Sequence, residues 1–193
     1  FGDVAIQVEF NRVEATQSGG FALIGRVAGD QQGIAVLVQN PGAISLHVST
    51  GDKRLTVTGT PSKGFMASEL VPVALPDHDR VPPEFAFPSS KQPAVKGQLA
   101  IAPAEVAADS GSTMDVMVIY TNTARIQHGG TAQMHAAIDA QVALTNQAYL
   151  DSGVVQRLRL VYKGEVTHTE STSDVDLNRI IDPTDGVLDE IPI

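Results

Sequence analysis

Five histidines, 22 acidic side chains and no cysteine are the metal-ligating and nucleophilic inventory of this 193-residue chain. His47, His78, His128, His135 and His168 include no HxxxH pair, the i, i+4 spacing that sets two imidazoles on one helix face for a metal. Without Cys there is no disulfide framework, no thiolate zinc ligand and no cysteine nucleophile. No GxSxG elbow, P-loop or GxGxxG occurs. Three short constellations remain. In Asp77-His78-Asp79 a histidine sits between two carboxylates, either to reach a metal in a neighbouring domain or as an exposed turn between prolines. In DVDLNRIIDPTD, Asp174, Asp176 and Asn178 match positions one, three and five of a calcium loop. Arg179 stands where the loop needs Gly, and Asp185 where it needs Glu, so the reading is a helix start with acids at the positive end of the dipole. Asp109-Ser110-Gly111 has the letters of a serine-protease loop but lies in a small polar run, and reads as a joint.

The elements that must position these groups divide at proline. Seven of the eleven prolines fall between Pro72 and Pro103, where a missing N–H and a fixed φ bar a helix or a central strand. Before that stretch, 21–28, 33–39, 43–49, 54–58 and 65–73 are short β-rich runs separated by turn material such as Asn40-Pro41-Gly42. They predict antiparallel hairpins in a meander, with 4–10 as an edge strand. Ile44, Leu46 and Val48 alternate with Ser45, His47 and Ser49, the pattern of a sheet with one wet face.

After it, Met114–Tyr120 is a nearly continuous apolar run, as in a strand covered on both faces. Gly129-Gly130-Thr131 opens a helix to about Leu150, with Thr131 as N-cap. Met134, Ile138, Val142, Thr145 and Tyr149 form its packed stripe, and His135 sits at the boundary. Met114, Met117 and Met134 read as core. Val155–Val166 is a second strand, with Leu158, Leu160 and Tyr162 on one face and Arg157, Arg159 and Lys163 on the other. A short helix follows from Ser173 to Ile181. Strand–helix–strand–helix predicts a parallel sheet with further strands to come.

Composition excludes some classes. Hydrophobic residues are 42% and charged residues 18%, too apolar for a disordered chain. Net charge is −9, so a basic nucleic-acid surface is not expected. No apolar run nears the ~18 residues of a membrane helix, so no membrane partner is expected. Phe1 without Met and the abrupt stop at Ile193 read as a piece of a longer protein.

MDVMVIYTNTAR, GGTAQMHAAIDAQVALTNQAYLDSGV, RLRLV and DLNRIIDPTDGVLDE, in that order between residues 114 and 190, resemble the opening of the catalytic domain of secreted bacterial reprolysin-like metzincins. Residues 21–75 resemble the β-rich propeptide of the same proteins. The resemblance implies an α+β chain in three parts. Residues 1–75 are a β-rich propeptide-like module, 76–113 a Pro-rich linker, and 114–193 the incomplete N-terminal part of an α/β (βαβα) catalytic domain. It implies a zinc metalloendopeptidase acting on protein or peptide substrates, secreted to the exterior through the periplasm. The zinc would be held by HExxHxxGxxH beyond Ile193, so no catalytic or cofactor-binding residue is assigned here and this piece is expected to be inactive and zinc-free. Because the usual propeptide thiolate is impossible without Cys, Asp77 or His78 is the candidate pro-segment zinc ligand, with steric occlusion by the β module as the alternative. Asp115, near the start of the first strand, is the candidate for a structural calcium. An intramolecular contact between module and catalytic part is expected. A different reading, a non-catalytic secreted β-sandwich used for adhesion or binding with a degenerate α/β domain behind it, stays open.

Overall fold

The computed structural model describes residues 5–70, 113–182 and 184–187. The proline-rich connector, and with it Asp77, His78 and the Asp109-Ser110-Gly111 joint, lies outside the described residues.

The fold is mixed α+β. Strands β1 (Val8–Ala15), β2 (Phe21–Val27), β3 (Ile34–Asn40), β4 (Ala43–Ser49), β5 (Arg54–Thr60) and β6 (Gly64–Leu70) form one antiparallel sheet in sequence order. This is the expected meander, and the turn chemistry explains its registers. Between β3 and β4, Asn40 pairs with Ala43 across Pro41-Gly42; Pro presets the first turn position and Gly42 takes the second at φ +84°. The edge strand was expected at 4–10 and lies at 8–15. A bulge between Phe10 and Arg12 breaks its period, which leaves Phe10 and Val13 exposed and hides the alternation a sequence reading depends on.

The second part is β7 (Thr113–Thr121), α1 (Asn122–Gln127), α2 (Thr131–Asp151), β8 (Arg157–Val166) and α3 (Ser173–Ile181). β7 and β8 pair in parallel, as the strand–helix–strand order requires. The short helix α1 has no apolar stripe to announce it. Its signal is Thr121, whose Oγ1 accepts the Ala124 amide at 3.1 Å. The N-cap of α2 is Gly130, at φ +125°, rather than Thr131, and no side chain caps it.

Helix α2 lies between the two sheets and belongs to both cores. Met134 and Ile138 pack with Tyr120, Val118 and Leu160 of β7 and β8. Ala136, Ala140 and Ala143, flanked by Ala132 and Leu144, pack on Ala22, Ile24, Val36, Val38 and Ala43 of the meander. These alanines sit at i, i+4, i+8 and i+11 counted from Ala132. That is the spacing of the Met134 stripe begun two residues earlier, about 200° round the helix. Small side chains let helix and sheet approach closely, and Ala136 and Ala140 have no exposed surface.

Two expectations are corrected here. The face of β4 bearing Ser45 and His47 is not wet, because α2 crosses it and Ser45 is fully buried. Met114–Tyr120 is not covered on both faces. Only Tyr120 is buried, while Met114 on β7 and Val161 and Tyr162 on β8 are about half exposed. The meander is one sheet backed by a helix, and its described strands do not form the two face-to-face sheets of a sandwich.

Ile138, with Met134, is an apolar side chain of α2 aimed at β7 and β8. Ile138→Ala is expected to destabilise the chain by about 2–5 kcal/mol, the range for a buried Ile cut to Ala. Urea unfolding followed at the tyrosines checks this; a loss under 1 kcal/mol would place Ile138 outside the core.

Candidate functional site at a buried ion pair

A single acid occurs in the Thr131–Leu150 segment of α2, Asp139, and the structure buries it. Its partner is Lys163 of β8, and the two side chains are 3% and 5% exposed. The alternation of β8 puts Lys163 on the outer face with Arg157 and Arg159. The register between β7 and β8 steps over Val161, however: Val116 pairs with Leu160, and Met117 with Tyr162. That extra residue exchanges the faces beyond it, turning Tyr162 out and Lys163 in toward α2.

Charges taken out of water need their remaining hydrogen-bonding positions filled. The meander fills them. Ser18, in the β1–β2 loop, donates to Asp139 Oδ2 at 2.8 Å, and its Oγ accepts from Lys163 Nζ at 2.6 Å. Asn40, at the end of β3, donates from Nδ2 to Asp139 Oδ2 at 2.7 Å. The amide of Asn40 is oriented in turn, because Thr16 Oγ1 donates to its Oδ1 at 2.6 Å and itself accepts the Gly20 amide at 3.0 Å. Gly20 has no room for a side chain: a Cβ there would lie 2.0 Å from the Gln39 carbonyl oxygen and 2.5 Å from Asn40 Oδ1. A cleft of about 410 Å³ opens beside the pair, with Glu14, Asn146 and Arg159 among its walls. Asn146 fixes β8 to α2, accepting the Leu158 amide at 2.7 Å and donating to the Leu158 carbonyl at 2.9 Å. At the far end of α2, Arg26 of β2 pairs with Asp151, which also accepts from Gln147 at 2.8 Å.

The histidines are dispersed. His135 Nε2 lies 2.9 Å from the Tyr120 hydroxyl, the rings edge to face. Burial, then the Lys163 ammonium, hold the pKa of His135 below the ordinary value, and burial raises that of the Tyr120 phenol. His47 lies within reach of Ser45 Oγ at 3.1 Å and Thr56 Oγ1 at 3.4 Å, and burial lowers its pKa. His168 pairs with Asp176 at 3.0 Å, and His128 is exposed. Asp174, Asp176 and Asn178 lie on α3. There Asp176 accepts the Ser171 amide at 2.9 Å, and that bond, with the one from His168, lowers its pKa. Both oxygens of Asp115 face Arg159, at 2.6 and 2.7 Å, and that hydrogen-bonded guanidinium holds the carboxyl below its usual range. A cation at Asp115 would have to displace it. Among the described residues no three His, Asp or Glu side chains converge so as to hold a metal ion.

The two depressed imidazoles set a pH dependence. The unfolded chain takes up their protons near pH 6.5, while the folded chain resists until lower pH. Their contribution to stability is therefore complete above about pH 6.5 and is lost as pH falls through the folded values. The urea midpoint is expected to fall between pH 7.5 and pH 5.5, and the fall to shrink in the His47→Gln, His135→Gln double variant. An unchanged fall would assign the window to other groups.

The fold and this site define a two-sheet protein joined through one helix, with a charge pair of the second part sealed by the first. Over 199 aligned residues it is 26% identical to each of two proteins named peptidyl-Asp metalloendopeptidase, from Stenotrophomonas maltophilia strains R551-3 and K279a. Each match takes in 96% of this chain and 46% of the relative, so the chain spans about half the length of the curated relatives it matches. No protein-family model matches, and no solved structure does. The similarity supports a relation to metalloendopeptidases and takes in the meander and the second part together.

Proposed function

We propose that this chain is the N-terminal portion of a zinc metalloendopeptidase of the reprolysin-like metzincin class, in its proform and destined for secretion. The β7–β8 part opens the catalytic domain, and the meander is its inhibitory and chaperoning module. The zinc ligands, with the glutamate that activates the zinc water, belong to an HExxHxxGxxH segment past Ile193. The described residues hold no metal-binding cluster of their own, and on this reading activity waits on that segment. The substrate is a protein or peptide chain, and the relatives' name makes bonds at aspartate the first to try.

The observation that carries this reading is the collinear match of 96% of the chain to proteins named for metal-dependent peptide cleavage. The half-exposed apolar side chains of β7 and β8 support it, since parallel strands are normally covered on both faces and need more sheet than the two described strands supply. The test is to express the gene through its own stop codon and assay Asp-containing peptides. Hydrolysis abolished by a chelator and restored by zinc is expected. A coding region with no HExxH motif, or hydrolysis indifferent to chelation, would overturn the reading.

A further inference from the structure

We propose that the Asp139–Lys163 pair is the recognition element by which the second part selects its own sheet module, read by the Ser18 hydroxyl and the Asn40 amide. The inference rests on the reading of the meander as a docked inhibitory module, and adds which groups decide that docking. Three observations carry it. The pair belongs to α2 and β8, yet Ser18 and Asn40, which fill its outer positions, both belong to the meander. The reading groups are held rigidly, with Thr16 orienting the Asn40 amide and Gly20 admitting no Cβ. Apart from the exposed Arg26–Asp151 pair at the far end of α2, the rest of the contact is alanine and Leu144 against Ala, Ile and Val, which supplies burial without directional choice. The ligand for Asp139–Lys163 is therefore one end of a β-meander, where a hairpin loop presents a hydroxyl and the neighbouring hairpin a primary amide aimed at the carboxylate. A hairpin with an acid in place of that amide sets two carboxylates together and is rejected, since like charges at a desolvated contact are costly.

The test uses the full chain with a sequence-specific protease site inserted between Lys91 and Gln92, cut after folding. The dissociation constant of the two halves is read by gel filtration and calorimetry. The wild-type halves are expected to stay together. Asn40→Asp is expected to weaken them on the order of 100-fold, as for loss of a hydrogen bond to a buried charge. Asn40→Asp with Asp139→Asn exchanges amide and carboxylate across the Asn40–Asp139 hydrogen bond, removes the two facing carboxylates, and is expected to recover part of the affinity lost in Asn40→Asp. A purely structural role for either residue predicts that the second change adds to the damage. Unchanged affinity in Asn40→Asp, or no recovery in the exchange, would overturn the proposal. Separation of the wild-type halves on cutting would overturn it together with the docking. Absence of chelator-sensitive hydrolysis in the longer product would remove the protease reading and leave these affinities standing.

Discussion

Lys163→Met is expected to destabilise the chain by about 3–5 kcal/mol, among the largest effects of any single substitution in it. The ammonium is 5% exposed against a carboxylate 3% exposed, so its loss leaves Asp139 charged, out of water and held only by Ser18 and Asn40. Methionine has nearly the length of the lysine stem, so the packing changes little and the loss is chiefly electrostatic. Adding Asp139→Leu removes the stranded charge and is expected to return a large part of the stability. Buried pairs replaced together by apolar side chains are often close to neutral. Urea titrations of wild type, both single variants and the double variant complete a cycle. A Lys163→Met loss below 1 kcal/mol would mean that the pair is solvated in solution.

The second large effect concerns removal of the meander. Residues 113–193 expressed alone would expose the Ala136–Ala140–Ala143 face of α2, the outer side of the Asp139–Lys163 pair and the Arg26 contact at Asp151. Among the described residues, two parallel strands with α2 and the short helices α1 and α3 leave too little remaining core to hold a fixed packing. The piece is expected to retain helix by far-UV circular dichroism, lose the near-UV signal of Tyr120, Tyr149 and Tyr162, and bind a hydrophobic dye. A sharp, independent melting transition for residues 113–193 would show that they do not need the meander.

Much of the architecture was legible because period and turn chemistry agree. Ile44 to Val48 alternates, Pro41-Gly42 closes a hairpin, and Met134 and Ile138 mark a helical stripe. The misses share a physical cause. Alanine carries little hydrophobic signal, so the face through Ala136 and Ala140 could not be seen as a contact, and Ser45 and His47 opposite it read as wet. A bulge leaves no mark in composition, so the step at Val161 that turns Lys163 inward was invisible, as was the one after Phe10. Asp139 offered one unused cue, an isolated acid in a long uncharged helical segment. Its partner lies 24 residues away, and its hydrogen-bonding groups belong to residues 18 and 40, beyond any local pattern. The residues singled out for metal chemistry fared differently. Asp115 is engaged by Arg159, while Asp77 and His78 lie outside the described residues.

That the meander and the β7–β8 part are one cooperative body through α2 is tested most directly by following both through the same urea titration. All three tyrosines belong to the second part and there is no tryptophan, so the near-UV signal reports β7, α2 and β8. Amide hydrogen exchange of Ile34–Asn40 reports the meander at β3. The two are expected to give one midpoint and one unfolding free energy. Loss of the tyrosine signal at a clearly lower urea concentration, with β3 still protected, would contradict a shared core.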